Sequence, residues 1–230
     1  MDGVREAAFA ELGQMADVVS KGFLDDDVFG RFMHPKRREF PNDWYFFWVK
    51  EIRTRLVDPS HLIFVRPDAA SGKVAAFCVM KRIGESEDKR ATSESLAEKG
   101  RRLIVQGQNQ WSNWTWTDRT ADPEAIAKFD SNWDDIAHYF TGPRKECWMI
   151  DILCVHPEFQ KKGFGRDLIL NAIEVCRSEE PMVPLAVIAS EIGDGFYEKQ
   201  GFQEAGRANV GDLSGVNGGS LKFYERHLHS

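Results

Sequence analysis

A mixed α/β fold, with strands feeding helices around a sheet, is the class this sequence predicts, and three stretches predict it. The first runs from Trp148 to Arg177. It opens on an apolar run (Trp148, Met149, Ile150, Ile152, Leu153, Val155) and turns at His156-Pro157-Glu158. It then passes through Gln160-Lys161-Lys162-Gly163-Phe164-Gly165 into a pattern of Leu168, Ile169, Ala172, Ile173 and Cys176 at steps of three and four. That reads as strand, glycine-bearing turn, helix. The second is a pair of apolar runs, His61 to Val65 and Lys73 to Ile83, joined by the turn Pro67-Asp68-Ala69-Ala70-Ser71-Gly72, which reads as a hairpin. The third, after the central unit, alternates again: strand Pro184 to Ala189, helix Ser190 to Gly201, strand Phe202 to Ala208, a glycine-rich loop and a closing strand Ser220 to Arg226.

Taken in order, the chain begins with a short strand around Val4 to Ala7 and an amphipathic helix carrying Leu12, Met15, Val18, Val19 and Phe23 on one side. Asp25, Asp26 and Asp27 follow. Two readings stay open for them: a solvated turn with a helix cap, or an anionic rim for a cationic ligand. A basic loop with Lys36, Arg37 and Arg38 leads to a second helix, Trp44 to about Val57. Its run Trp44-Tyr45-Phe46-Phe47-Trp48 cannot all face one core, so some rings are expected to line a groove or lie under a loop. Residues 84–144 form a long segment before the central strand. Glu85 to Arg90 is charged, Ser93 to Val105 reads as a helix, and Trp111, Trp114 and Trp116 follow a polar stretch. Asp122-Pro123-Glu124 reads as a cap with proline at the first helical position, opening a helix to about Tyr139. About sixty residues are too many for an unstructured loop in a compact domain, so a helical insertion is expected.

Composition limits the function. With 42% hydrophobic and 29% charged residues the chain is an ordinary globular protein, and its formal net charge of -6 argues against a nucleic-acid partner. Cys78, Cys147, Cys154 and Cys176 show no Cys-x-x-Cys spacing, and three of them lie in apolar strand or helix patterns. Reduced core thiols are therefore expected, with neither disulfides nor a metal site. The charged N-terminus and the lack of a long apolar run give no membrane partner and suggest the cytoplasm. No linker or repeat stands out, so residues 1–230 are read as one domain, with 84–144 as its insertion.

The chemistry concentrates at the turn. The first N–H groups of a helix point outward with partial positive charge. Gly163 and Gly165 allow close approach, and Lys161, Lys162 and Arg166 add charge, so this is a corner for a pyrophosphate. A P-loop would need Gly-Lys-Ser/Thr, and a dinucleotide fold a third glycine where Leu168 stands. Gln-x-x-Gly-x-Gly after a strand ending in Val-x-Pro instead resembles the acetyl-CoA signature of the GNAT superfamily of acyl-CoA N-acyltransferases. Phe196-Tyr197-Glu198-Lys199-Gln200-Gly201-Phe202 is similar to that family's Tyr-x-x-x-Gly-Phe at the family's separation.

The resemblance implies a mixed, mostly antiparallel twisted sheet flanked by helices, and acetyl transfer from acetyl-CoA (coenzyme A) to a primary amine by direct attack in a ternary complex. It implies that amides around Leu153, Cys154 and Val155 hold the pantetheine arm and thioester, and that Gln160, Lys161, Lys162, Gly163, Phe164, Gly165 and Arg166 hold the pyrophosphate. Ser190 stands where an Asn commonly contacts the cofactor, and Gly193 where an Ala is frequent. Tyr197 is the expected acid for the leaving thiolate. Asp151, the ionisable residue inside the apolar strand and on the same side as Met149 and Leu153 by alternation, is the expected base, with Glu146 and His156 as competitors. The acceptor is expected to be a small amine bordered by Asp25, Asp26, Asp27, Trp44, Trp48 and Trp114. A protein N-terminus or lysine, and a non-catalytic acyl-CoA-binding module, are the alternatives. Monomer and homodimer are both open.

Overall fold

The computed structural model describes residues 3–85 and 94–229. Most of the charged run Glu85 to Arg90, and Ser93, lie outside the described residues. Among the described residues seven strands make one sheet: β1 (Arg5–Glu6), β2 (His61–Pro67), β3 (Val74–Ile83), β4 (Cys147–Val155), β5 (Leu185–Ala189), β6 (Gln203–Arg207) and β7 (Ser220–Tyr224). Their order is β1-β2-β3-β4-β5-β7-β6, and β4 with β5 is the parallel pair in an otherwise antiparallel sheet. The expected fold class holds.

Among the described residues six α-helices surround the sheet: α1 (Leu12–Gly22), α2 (Pro41–Arg55), α3 (Leu96–Thr115), α4 (Pro123–Ile136), α5 (Phe164–Arg177) and α6 (Glu191–Lys199). On one face, Leu168, Ile169, Ala172, Ile173 and Cys176 of α5 and Tyr197 of α6 pack on Cys78, Met80, Trp148 and Ile150. On the other, Met15, Val18 and Val19 of α1 and Trp44, Trp48 and Ile52 of α2 pack on Phe77, Val79, Ile152 and Cys154. Further along that second face α4 covers β5 and β7 through Ile136, Phe140, Ala186, Leu221 and Phe223. β3 is therefore buried from Val74 to Met80 without a polar side. A central strand under helices on both faces has no solvent side to alternate towards.

The insertion is helical, as its length requires, but α3 runs ten residues past the expected end at Val105. Ser95 and Glu98 close a reciprocal cap at its start. The helix continues through the polar run and meets α2 from it and beyond: Asn109 donates to Thr54 Oγ1 at 2.8 Å, and Lys50 donates to Asn113 Oδ1 at 2.6 Å. Asp122 caps α4 as read, accepting from the amides of Glu124 and Ala125. Between the two helices, Arg119 grips Asp43 of α2 through Nε at 2.7 Å and Nη2 at 3.0 Å.

Candidate active site

Strand β4 parts from β5 early. Their paired residues are Trp148 with Leu185, Met149 with Ala186 and Ile150 with Val187, and the pairing stops there. Beyond Ile150 the β5-facing backbone of Asp151 to Val155 is left for another partner. A bulge falls at the same place: on the β3 side Met80 pairs with Ile150 and Val79 with Ile152, so Asp151 is the extra residue. The bulge swaps the faces of the residues beyond it. Leu153 and Val155 pack against the α5 cluster, while Met149 lies against the α4 cluster on the opposite side. Asp151 and Leu153 do not share a face, a correction to simple alternation.

The corner expected for a pyrophosphate lies at that same end of β4. Gly163 caps α5 with φ +88°, left-handed backbone that only glycine adopts without strain. The first bond of the helix runs from the Asp167 amide to Gly163 O at 3.1 Å, so the amides of Phe164, Gly165 and Arg166 precede it and point outward. A Cβ on Gly165 would rest 3.4 Å from the Phe196 ring and 3.5 Å from Val155 Cγ2, so α5 crosses β4 and α6 with room for one methyl at most. Lys161 has a left-handed φ of 62°, and the side chains of Gln160, Lys161, Lys162 and Arg166 are exposed around the turn. Lys162 lies over the Phe159 ring at 4.8 Å.

Tyr197 reaches the opened strand from α6. It is buried, wedged edge-on between Phe196 and Phe202 at 5.3 and 5.4 Å. Burial, reinforced by Cys78 and Cys154, pushes the phenol well above its ordinary pKa, so it carries its proton throughout the working range. Among the described residues its hydroxyl has no hydrogen-bond partner. A Cβ at Gly193 would touch the Tyr197 ring at 3.3 Å, which accounts for glycine one turn before it. Ser190 accepts from the Gly193 amide at 3.2 Å and so serves as the cap of α6. Lys222 of β7, fully buried, anchors the same helix through Glu198 at 2.9 Å and Asp194 at 3.0 Å.

Asp151 points to α2, where Arg55 donates to its Oδ2 at 2.6 Å and to Glu51 at the same distance. The pair of carboxylates holds the Arg55 guanidinium charged against its burial. Glu146 takes Arg82 at 3.0 Å and the Glu85 amide at 2.8 Å. His156 accepts from the Glu158 amide at 3.3 Å as a turn cap. Arg55 was invisible as a site residue in the sequence, although Glu51 and Arg55, four apart on one helix, are the signal that could have marked it.

The three aspartates part company. Asp25 pairs with Arg38 at 2.7 Å, and Asp27 with Arg31 at 3.0 Å. Asp26 caps the π-type turn Asp27–Met33, accepting from the Val28 and Phe29 amides at 3.0 and 2.8 Å. Trp44 and Trp48 are not groove residues. Both are buried in the α1–α2 core, where Trp44 donates to Ser20 O at 2.8 Å and Trp48 meets Phe23 and Phe29. Trp114 stands on the outer side of α3, 87% exposed. None of the three makes a pocket wall, because helix phase turns the first two inward and the third outward.

Residues 125–213 match the family model of the acetyltransferase (GNAT) domain. The family resemblance is to GNAT acetyltransferases. The matched region starts inside the insertion, at the first turn of α4, and spans β4, the glycine corner and α6. A protein called acetyltransferase from Stachybotrys chartarum is 23% identical over 215 residues, covering 94% of this chain and 86% of its own length. Among solved structures, the histone acetyltransferase HPA2 and related acetyltransferase from Corynebacterium glutamicum superposes with a TM-score of 0.57 at 14% identity, over 96% of this chain and 93% of that one. A GNAT-family acetyltransferase from Staphylococcus aureus Mu50 gives 0.50 at 8% identity, over 96% of each chain. At such identities the superpositions speak for the fold.

Acetyl-CoA is the acyl donor of GNAT acetyltransferases, and the geometry of this chain fits it. The outward amides at the start of α5 and the left-handed Gly163 offer donors to a phosphate, and the missing Cβ of Gly165 lets α5 pack closely on Phe196 and Val155. The unpaired edge of β4 offers amides and carbonyls to an extended arm with amide bonds of its own. Among the described residues no helix is long and apolar enough to cross a membrane.

Proposed function

We propose that this chain is an N-acetyltransferase, moving the acetyl group of acetyl-CoA to the primary amine of a small molecule by direct attack in a ternary complex. The observation that carries the reading is the parting of β4 from β5 after Ile150 and Val187, with the α5 corner and the buried Tyr197 at that end. The amides of Leu153 to Val155 orient the pantetheine arm and thioester carbonyl, and those of Gln160 to Gly165 hold the pyrophosphate, with Lys161, Lys162 and Arg166 adding charge. Acetyl-CoA supplies an activated acyl carbon. Tyr197, which keeps its proton throughout the working range, donates it to the departing sulfur.

A small acceptor is favoured over a basic protein tail by the cover on the acceptor face. Phe29 of the α1–α2 connection meets Phe129 of α4 at 5.7 Å, which places aromatic surface beside that connection. The whole chain acts as one domain. Its four thiols are free and buried, with burial pushing Cys147 up to about 12, which suits a reducing compartment such as the cytoplasm.

Steady-state release of free coenzyme A tests the reading with a panel of aliphatic and arylalkyl amines, a lysine peptide and a peptide with a free N-terminus. Turnover is expected with small amines. Turnover confined to the peptides would reassign the acceptor, and acetyl-CoA binding without turnover would leave a binding module.

A further inference from the structure

An amine that arrives as an ammonium ion must lose a proton before it can attack, and the cofactor strand keeps no free group for that task. Asp151 is held by Arg55, Glu146 by Arg82 and His156 by its own turn. In the α1–α2 connection, Asp25 and Asp27 are spent on Arg38 and Arg31. Asp26 differs. Both of its amide donors, Val28 and Phe29, fall on Oδ1, and among the described residues Oδ2 has no partner. Its neighbourhood is the opened part of β4. The C-terminal end of α1 lies directly on that strand: Cys154 Sγ donates to Val18 O at 3.6 Å, and a Cβ on Gly22 would collide with Cys154 Sγ and lie 3.4 Å from Val155 O.

We infer that Asp26, through its free Oδ2, is the general base that deprotonates the acceptor ammonium. The inference rests on the acetyltransferase reading above. Asp26 follows α1 on the face of β4 where Cys154 lies, and Tyr197 packs with Leu153 and Val155 on the other face. The elements that carry the proposed base and acid thus approach the opened end of β4 from opposite faces. Burial raises the Asp26 carboxyl above its ordinary range despite the two amide bonds, which suits a group that must take and release a proton. The charged groups facing it are Asp27, which reinforces the rise, and Arg31 and Arg37, which oppose it.

The proton and electron inventory closes. Asp26 Oδ2 takes one proton from R–NH3+. The freed lone pair forms the N–C bond at the thioester carbonyl, and the C–S bond breaks with its electrons on sulfur. Tyr197 gives sulfur its proton and recovers one from the new amide nitrogen, while Asp26 releases its proton to solvent. One proton is set free per acetyl group transferred.

Asp26→Asn tests this, because asparagine caps as well as aspartate and preserves the turn. For an amine that is cationic at neutral pH, kcat/KM is expected to fall on the order of a hundredfold or more, with acetyl-CoA affinity by calorimetry held. The acid limb of the pH profile should vanish, and the loss should shrink steadily across acceptors of falling amine pKa. Asp151→Asn, whatever its effect on rate, should keep the acid limb. An Asp26→Asn enzyme that retains the limb, or loses the same factor with weakly basic and strongly basic amines, overturns the assignment while leaving the acetyltransferase reading intact. Wild-type protein that releases no coenzyme A with any amine overturns both.

Discussion

The ring of Tyr197 is packed between Phe196 and Phe202, and its hydroxyl bonds to nothing among the described residues. A purely structural tyrosine would recover the cost of burying a hydroxyl through a hydrogen bond. An unpaired one is open to a ligand, as the proposed acid role requires. Tyr197→Phe removes that oxygen and little else from the packing. Turnover should drop about a hundredfold where proton transfer to sulfur limits the rate, with the KM for acetyl-CoA within about twofold. Unchanged turnover across the pH range would return Tyr197 to a packing role. Residues such as this one were legible because a motif named them. Trp44, Trp48 and Trp114 were not: an aromatic run announces ring surface but not helix phase, and phase sends the first two inward and the third outward. Asp26 was legible as one of three. What sets it apart, a carboxylate with one oxygen spent and one free, comes from bonds to its own backbone that composition does not show.

At the scale of elements, strand, turn and helix were readable almost everywhere because their periods differ, and two features escaped for a common reason. The bulge at Asp151 is a mismatch between β3 and β4, so it exists in neither strand alone. The second half of α3 reads as a break until α2 is laid beside it and Asn109 and Asn113 find Thr54 and Lys50. The clasp that fixes this insertion is Asp43 with Arg119. Arg119 holds the Asp43 carboxyl down at about 2, chiefly through its hydrogen bonds. A carboxyl whose folded pKa is depressed adds stability above its unfolded value near 4, and that stability is lost as pH falls through about 2. Asp43→Asn should therefore destabilise the protein by about 1 kcal/mol at neutral pH, since Arg119 is itself half in solvent. Below about pH 2 the wild type and the variant should converge. Chemical denaturation at several pH values checks this, and a gap that persists at low pH would mean the clasp acts by packing instead.

For the whole molecule, the sheet is finished at one end and unfinished at the other. Where β4 and β5 pair, helices cover both faces. Where they part, the chain leaves a strand edge, a set of helix-start amides and a buried phenol together. Such an arrangement is completed by its ligand, so ligand binding should register as global stability. At a hundredfold excess over Kd, a ligand bound only by the folded state adds about 2.7 kcal/mol. In a chain of 230 residues that corresponds to a rise in Tm of roughly 5–10 °C. Acetyl-CoA should produce it and adenosine alone should not, because the role proposed for the corner is to hold the pyrophosphate. The two glycines should then separate fold from binding. Gly165→Ala has space for its methyl against Phe196 and should keep both the fold and the shift, whereas Gly165→Leu forces α5 off β4 and should abolish the shift. At Gly163 the surrounding space is open and only the backbone objects, so Gly163→Ala should lower the unliganded Tm by the equivalent of about 1 kcal/mol. It should also shrink the acetyl-CoA shift, because an alanine that relaxes φ turns the amides of Phe164 and Gly165 away from the phosphates. A full shift in Gly163→Ala would mean the cradle is held from the helix side, by α5 against Phe196, with the turn contributing nothing.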